Sequence, residues 1–334
     1  MAMMQSRRDF VATSLAGTGL LLGSVPTLAD EGPPETTTVR LTSASGICIA
    51  PQYLAGELLR ADGFTDVRFV PGMKGPLGAA MVGRSEVDFT STFAASVIVR
   101  IDAGDPIVVL TGLHSGCYEL FATERVRTIS DLKGKRVAVP SLGSSPYLYL
   151  SIVSRHVGLD PRSDIEWVTP PGGNALELFA AGKADAFLGF PPEPQELRDR
   201  GIGHVVVNST LDRPWSQYYC CLLAGYRPFV QANPAATKRV IRAILKAGDL
   251  CAGEPERVAH RLVEGGFTAS YAYALQSLQE VPYRKWRDYD PEDSVRFYAL
   301  RLHEAGVVKS SPARIIAAGT DWRFLDELKR ELKT

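Results

Sequence analysis

From residue 38 onward, short β-branched and aromatic runs alternate with helix-forming runs, and nearly every strand-like run ends in a polar or glycine-bearing loop. A chain patterned this way folds as helices covering a largely parallel sheet, with right-handed crossovers between neighbouring strands. Residues 38–42 form the first predicted strand, followed by the loop Ser43-Ala44-Ser45-Gly46 and a helix over 51–61. Residues 67–70 form the second, followed by a loop containing Lys74 and a helix from Pro76. The third, 87–90, passes through Ser91 and Thr92 into a helix ending near Gly104, and the fourth spans 107–110.

A second group begins at Asp131. Strands are predicted over 136–139, 166–168, 184–188 and 205–207, with a return segment at 218–223. The loop 140–145 leads to Pro146, well placed in a first helical turn with Ser145 as its cap, and Gly172-Gly173-Asn174 opens another helix. The last third is helical. Val240, Ile244, Ala247 and Cys251 share one face of a helix capped by Asn233, and Val295, Tyr298 and Leu302 share a face of one that opens at Asp290 and stops at Gly306.

Residues 1–29 have the three-part layout of an export signal: Arg7-Arg8 followed by Phe10, an uncharged stretch rich in Ala, Gly, Thr and Leu, and the small-residue ending Thr27-Leu28-Ala29. The paired arginines resemble the twin-arginine type, whose cargo leaves the cytoplasm already folded, so a periplasmic location is expected. Lys and Arg total 37 against 37 Asp and Glu, leaving no basic surplus to neutralise nucleic-acid phosphates. Five cysteines, Cys48, Cys117, Cys220, Cys221 and Cys251, include no C-x-x-C pair and are expected to be mostly small buried apolar side chains.

In open α/β sheets ligands lie beyond the carboxyl ends of strands, where helix N-termini present unpaired N–H groups. The loops at those positions supply Ser43, Ser45, Ser91, Thr92, Ser144 and Ser145 as candidate ligand contacts, although the same residue types also cap helices. Cys48 follows the first loop, Lys74 is the one obvious cation in this set, and His114 stands just past the fourth predicted strand as an anion donor. Tyr118, Tyr147, Phe190, Tyr218 and Tyr219 lie near loops or crossings and could form an aromatic wall, with Glu193 after Pro191-Pro192 as a lone carboxylate. There is no G-x-S-x-G, H-E-x-x-H or P-loop pattern and no spaced Cys/His set, so no catalytic residues, metal or cofactor are expected.

Three blocks carry a family resemblance. Asp131-Leu132-Lys133-Gly134-Lys135-Arg136-Val137-Ala138-Val139-Pro140, Ala180 to Phe187 with Pro191-Pro192-Glu193, and Arg84 to Phe89, in this order behind an export signal, resemble nitrate/sulfonate/taurine-type (thiamine-pyrimidine-precursor-like) periplasmic binding proteins. The tail Gly319-Thr320-Asp321-Trp322 is similar too. The resemblance implies an α/β, two-lobed periplasmic binding protein fold (type II), each lobe a mixed sheet flanked by helices, joined by two crossing hinges, with C-terminal helices. Lobe 1 would be 36–122 plus 219–334 and lobe 2 123–218, with hinges near 120–123 and 217–219. It further implies a monomer that takes a small sulfonate, carboxylate, nitrate or pyrimidine-like ligand to an ABC permease and ATPase at the inner membrane. Two other readings stand beside it: a ligand-sensing subunit for a membrane sensor kinase, and an enzyme like the fungal thiamine-pyrimidine synthases, which Cys220-Cys221 faintly resembles.

Overall fold

The structure, a computed structural model, describes residues 32–43, 46–72 and 77–332. The export signal expected over 1–29, and the candidate contacts Ser45 and Lys74, lie outside the described residues. Among the described residues, ten strands, β1 (Thr38–Ser43), β2 (Asp66–Pro71), β3 (Phe89–Phe93), β4 (Ile107–Ser115), β5 (Glu119–Ala122), β6 (Arg136–Ala138), β7 (Glu166–Val168), β8 (Ala186–Gly189), β9 (His204–Asn208) and β10 (Tyr219–Tyr226), form two five-stranded sheets. The first has the order β2-β1-β3-β10-β4 and the second β7-β6-β8-β5-β9. Each holds three parallel strands and then one antiparallel strand inserted before the last, β10 between β3 and β4, and β5 between β8 and β9. Both sheets are therefore mixed and flanked by helices, and among the described residues no helix is long and apolar enough to cross a membrane.

The same device pins both sheets. Ser85 and Gly182 turn the chain through left-handed backbone, at φ 60° and 69°. Three residues after each turn comes a buried aspartate, Asp88 or Asp185. Asp88 Oδ2 accepts from Arg40 N–H at 2.7 Å while Asp88 N–H donates to Arg40 C=O at 2.9 Å. Asp185 repeats this with Arg136, accepting at 2.9 Å and donating at 2.7 Å. A buried carboxylate needs such partners to offset its desolvation, and these join each sheet's central strand to the strand beside it. The blocks Arg84 to Phe89 and Ala180 to Phe187 thus do the same structural work in the two sheets.

Three local expectations are corrected. Ser91 and Thr92 are not loop residues: they end β3, because Leu223 and Leu222 of β10 pair with them and carry the ladder on. β4 likewise extends to Ser115, so His114 lies inside a strand rather than past it. β5 has no counterpart in the sequence reading, since Glu119 leads its apolar run and looks solvent-facing; Arg198 reaches it at 2.6 Å instead. β5 pairs only within the second sheet, so the chain passes from one sheet to the other over 116–118 and returns over 209–218. These crossings touch at Gly116, φ 65°, where an added Cβ would stand 2.4 Å from Thr210 Cα.

The C-terminal helices cover the first sheet and its flanks. Val240, Ile244, Ala247 and Cys251 of the helix Pro234–Gly253 are fully buried, as are Val295, Tyr298 and Leu302 of Pro291–Glu304, as their spacing predicts.

Candidate functional site

A cleft of about 670 Å³ opens where loops and strand ends of the two sheets face each other. One wall is built from strand ends. Thr42 and Ser43 end β1, and Thr90, Ser91 and Thr92 lie in β3, all lining the cleft. Gln52, fully buried, braces this wall: its Nε2 donates to Thr42 C=O at 2.6 Å and its Oε1 accepts from Ser91 N–H at 2.6 Å. Thr42 and Thr90 share a hydroxyl bond at 2.8 Å. The Ser91 hydroxyl is buried without a hydrogen-bond partner within the chain, leaving it for whatever enters.

The opposite wall is made of loops and helix starts: Pro140, Ser144, Ser145, Gly172, Gly173, Asn174, Phe190 and Glu193. The cap of the helix Ser145–His156 is Ser144, whose Oγ accepts from Tyr147 N–H at 3.4 Å; Ser145 is the first helical residue and not the expected cap. Released from capping, the Ser145 hydroxyl bonds Ser96 across the cleft at 2.9 Å. Asn174 caps the next helix through Glu177 N–H. The walls are further joined by Ile47 N–H donating to Pro191 C=O at 3.0 Å, and away from the lining Arg198 and Gln195 both reach Glu280, at 2.8 and 2.7 Å.

Glu193 is the only ionisable carboxyl among the described lining residues. Its enclosure by the cleft walls pushes it up to about 7, against the Phe190 N–H that donates to Oε2 at 3.1 Å, while Glu196 adds repulsion. No lysine, arginine or histidine is among the described lining residues. Tyr118, with Phe93, Tyr149 and Phe190 at ring distances of 5.2, 4.9 and 6.1 Å, makes an aromatic patch of which Tyr118, Phe93 and Phe190 reach the cleft.

Of the residues singled out in the sequence, the fold gathers Ser43, Cys48, Ser91, Thr92, Ser144, Ser145, Phe190 and Glu193 on the lining. It takes Tyr147 and Tyr218 away from the cleft, the first against Trp167 at 4.8 Å and the second stacked on Phe297 at 3.9 Å. Tyr219 instead donates its hydroxyl to Lys285 C=O at 2.8 Å. His114 is fully buried, not exposed for an anion. Sequence reasoning missed Thr42 in β1, Thr90 in β3, Cys221 in β10 and Cys117 on the crossing after β4 as lining residues, and Phe267, which arrives from the C-terminal part.

The cysteines are all buried, but four of the five are not scattered filler. The sulfur of Cys221 lies against those of Cys117, Cys220 and Cys48, whose S–H groups donate to it and pull its pKa well below the ordinary thiol range. Burial pushes Cys117 and Cys220 up, their sulfurs standing 3.4 Å apart. Cys251 sits outside this cluster, with its thiol raised by burial alone.

A family model described as NMT1/THI5 like matches residues 63–258. A Brucella abortus protein described as a "putative binding protein" is 25% identical over 252 residues, covering 75% of this chain and 76% of that one. Among solved structures, the periplasmic nitrate-binding protein NrtA from Synechocystis PCC 6803 superposes with a TM-score of 0.76 at 14% identity, covering 90% of each chain. The alkanesulfonate-binding protein SsuA from Xanthomonas axonopodis pv. citri, bound to MOPS, superposes with a TM-score of 0.71 at 19% identity over 86% of this chain and 99% of that one. The two-sheet fold is therefore that of periplasmic binding proteins.

Proposed function

Because the chain belongs to the NMT1/THI5-like family, we propose that it is the solute-binding component of an ABC importer, working in the periplasm and holding a small organic ligand between its two sheets. The observation that carries this reading is the cleft itself: its walls come from both sheets and are tied to each other by Ser96–Ser145 and Ile47–Pro191. A ligand that touches both walls stabilises the closed arrangement, and a permease that recognises that arrangement receives only loaded protein. The two sheets would then be the cores of two lobes hinged at 116–118 and 209–218, somewhat ahead of the first crossing expected from sequence.

The chemistry of the lining narrows the ligand. Hydroxyls, backbone N–H groups and an aromatic patch can hold a planar polar molecule, and the volume is that of an ordinary small-molecule site. Glu193, poised near neutrality, accepts from an N–H or O–H of the ligand when ionised and donates when protonated. Such a lining suits an organic molecule with its own donors, such as a pyrimidine-like ring or an aromatic acid, better than a bare inorganic anion.

A ligand that binds only the native state raises the melting temperature. Mature protein screened against sulfonates, aromatic carboxylates, nitrate and pyrimidines is expected to give a saturable rise with an organic member of the set. Release of a converted product from any of them would overturn the binding reading in favour of an enzyme.

A further inference from the structure

Beneath the cleft, Cys48, His114, Cys117 and Cys221 each bring one ligand atom to within 4.8 Å of all the others. They come from four places: the short turn Ile47–Ile49, β4, the crossing after it, and β10. A tetrahedral ion with bonds of about 2.3 Å to sulfur and 2.0–2.1 Å to nitrogen sets its ligand atoms roughly 3.6–3.8 Å apart, so closing this set takes side-chain movements of about 1 Å or less. Three of the four line the cleft floor, giving an ion a way in.

Two further features point the same way. His114 Nδ1 stands 3.0 Å from Gly116 C=O, which can only accept, so Nδ1 carries the proton and the neutral ring keeps a lone pair on Nε2. Nε2 is buried and has no hydrogen-bond partner within the chain. An imidazole whose one nitrogen is fixed by a carbonyl while the other is left open is oriented as metal-ligating histidines are. Cys117, for its part, is held at φ 136°, a conformation that non-glycine residues rarely adopt and that clusters at functional sites.

We propose that Cys48, His114, Cys117 and Cys221 bind one thiophilic d¹⁰ cation, Zn²⁺ or Cu(I), at the floor of the cleft. Soft thiolates with one imidazole select such ions over oxygen-seeking Mg²⁺ or Ca²⁺. Each thiol that becomes a ligand releases its proton to solvent, so three thiolates and a neutral imidazole leave a Zn²⁺ centre with one net negative charge and a Cu(I) centre with two. The site is independent of the solute: it is complete without anything in the cleft above it.

The test uses reduced, metal-free mature protein titrated anaerobically with Co²⁺. One ion per chain is expected, with a thiolate-to-cobalt charge-transfer band and the intense visible bands of tetrahedral Co²⁺. Zn²⁺ or Cu(I) should bleach them, and Mg²⁺ and Ca²⁺ should not. Cys48→Ser and His114→Gln should each lose the tetrahedral spectrum and weaken Zn²⁺ binding at least about tenfold. Cys251→Ser, outside the cluster, should bind as the parent does. Should His114→Gln fail to fold, Cys48→Ser on its short turn carries the same reading. Absence of the tetrahedral spectrum in the reduced parent would overturn the proposal, as would its persistence unchanged in Cys48→Ser. A Cys117–Cys220 disulfide whose reduction restores no metal binding would count equally against it. None of these readouts involves a solute, so failure here leaves the solute-binding reading standing, and the reverse holds.

Discussion

The two walls of the cleft are built differently. The first is made of strand residues, Thr42 in β1 with Thr90 and Ser91 in β3, buried and cross-braced by Gln52, and the half-buried Thr92 beside them. The second is made of loops and helix starts, with Gly143, Gly172 and Gly173 in left-handed backbone and Ser144 and Asn174 spent on capping. A wall of paired strands has its polar groups fixed by the ladder before any ligand arrives, whereas a wall of turns holds its shape through a few local bonds. Under the proposed function, the first wall would present a preset surface and the second would adapt to complete the site.

If the first wall is the rigid one, cutting its brace costs the most. Gln52→Leu leaves Thr42 C=O and Ser91 N–H without their partner in a dry interior, and unfolding in denaturant should show a loss of about 3 kcal/mol. A loss below about 1 kcal/mol would mean that the brace is dispensable and the contrast between the walls false.

The second wall carries the pH response. The folded-state value of Glu193 is raised, so the native state holds a proton that the unfolded chain has released. The contribution of Glu193 to stability is therefore fullest at low pH and declines as pH rises from the ordinary carboxylate range through about 7. Glu193→Gln should remove that decline, by about 1–2 kcal/mol between pH 5 and pH 8 once water in the cleft is allowed for. Parallel stability profiles for the two proteins would show that the carboxyl is not enclosed as described.

Two serines side by side then separate capping from clasping. Ser144→Ala removes a helix cap and should cost about 1 kcal/mol of stability. Ser145→Ala removes only the bond to Ser96 across the cleft, so stability should change by less than about 0.5 kcal/mol while solute affinity weakens several-fold. Equal affinity in Ser145→Ala and the parent would detach that bond from closure.

Much of the fold was legible because its signals are local. Alternating strand and helix runs, the helix faces of Val240 to Cys251 and Val295 to Leu302, and the turn-then-aspartate blocks ending in Asp88 and Asp185 each declare themselves within about ten residues. β5 did not, because its only charged residue is neutralised by Arg198 from a helix far along the chain. Strand lengths were underread for a similar reason: β10 returns from beyond the second sheet to pair with β3 and β4, and no window around Ser91 or His114 contains it. The loop serines were visible as candidates, but which serine caps and which clasps depends on a one-residue difference in where the helix starts. The thiol cluster was illegible in principle, since its members are brought together by the sheet and by the crossing rather than by any spacing in the chain.

The central claim is that the adaptable wall closes on a small solute held by the preset one. Small-angle X-ray scattering on mature protein, with and without the organic compound that raises its melting temperature most, tests this directly when the compound is afterwards recovered and weighed by mass spectrometry. The account predicts a smaller radius of gyration in the loaded protein, a fit to one compound per chain, and recovery of the compound unchanged. Saturating binding with no contraction, or recovery of an altered compound, would contradict it.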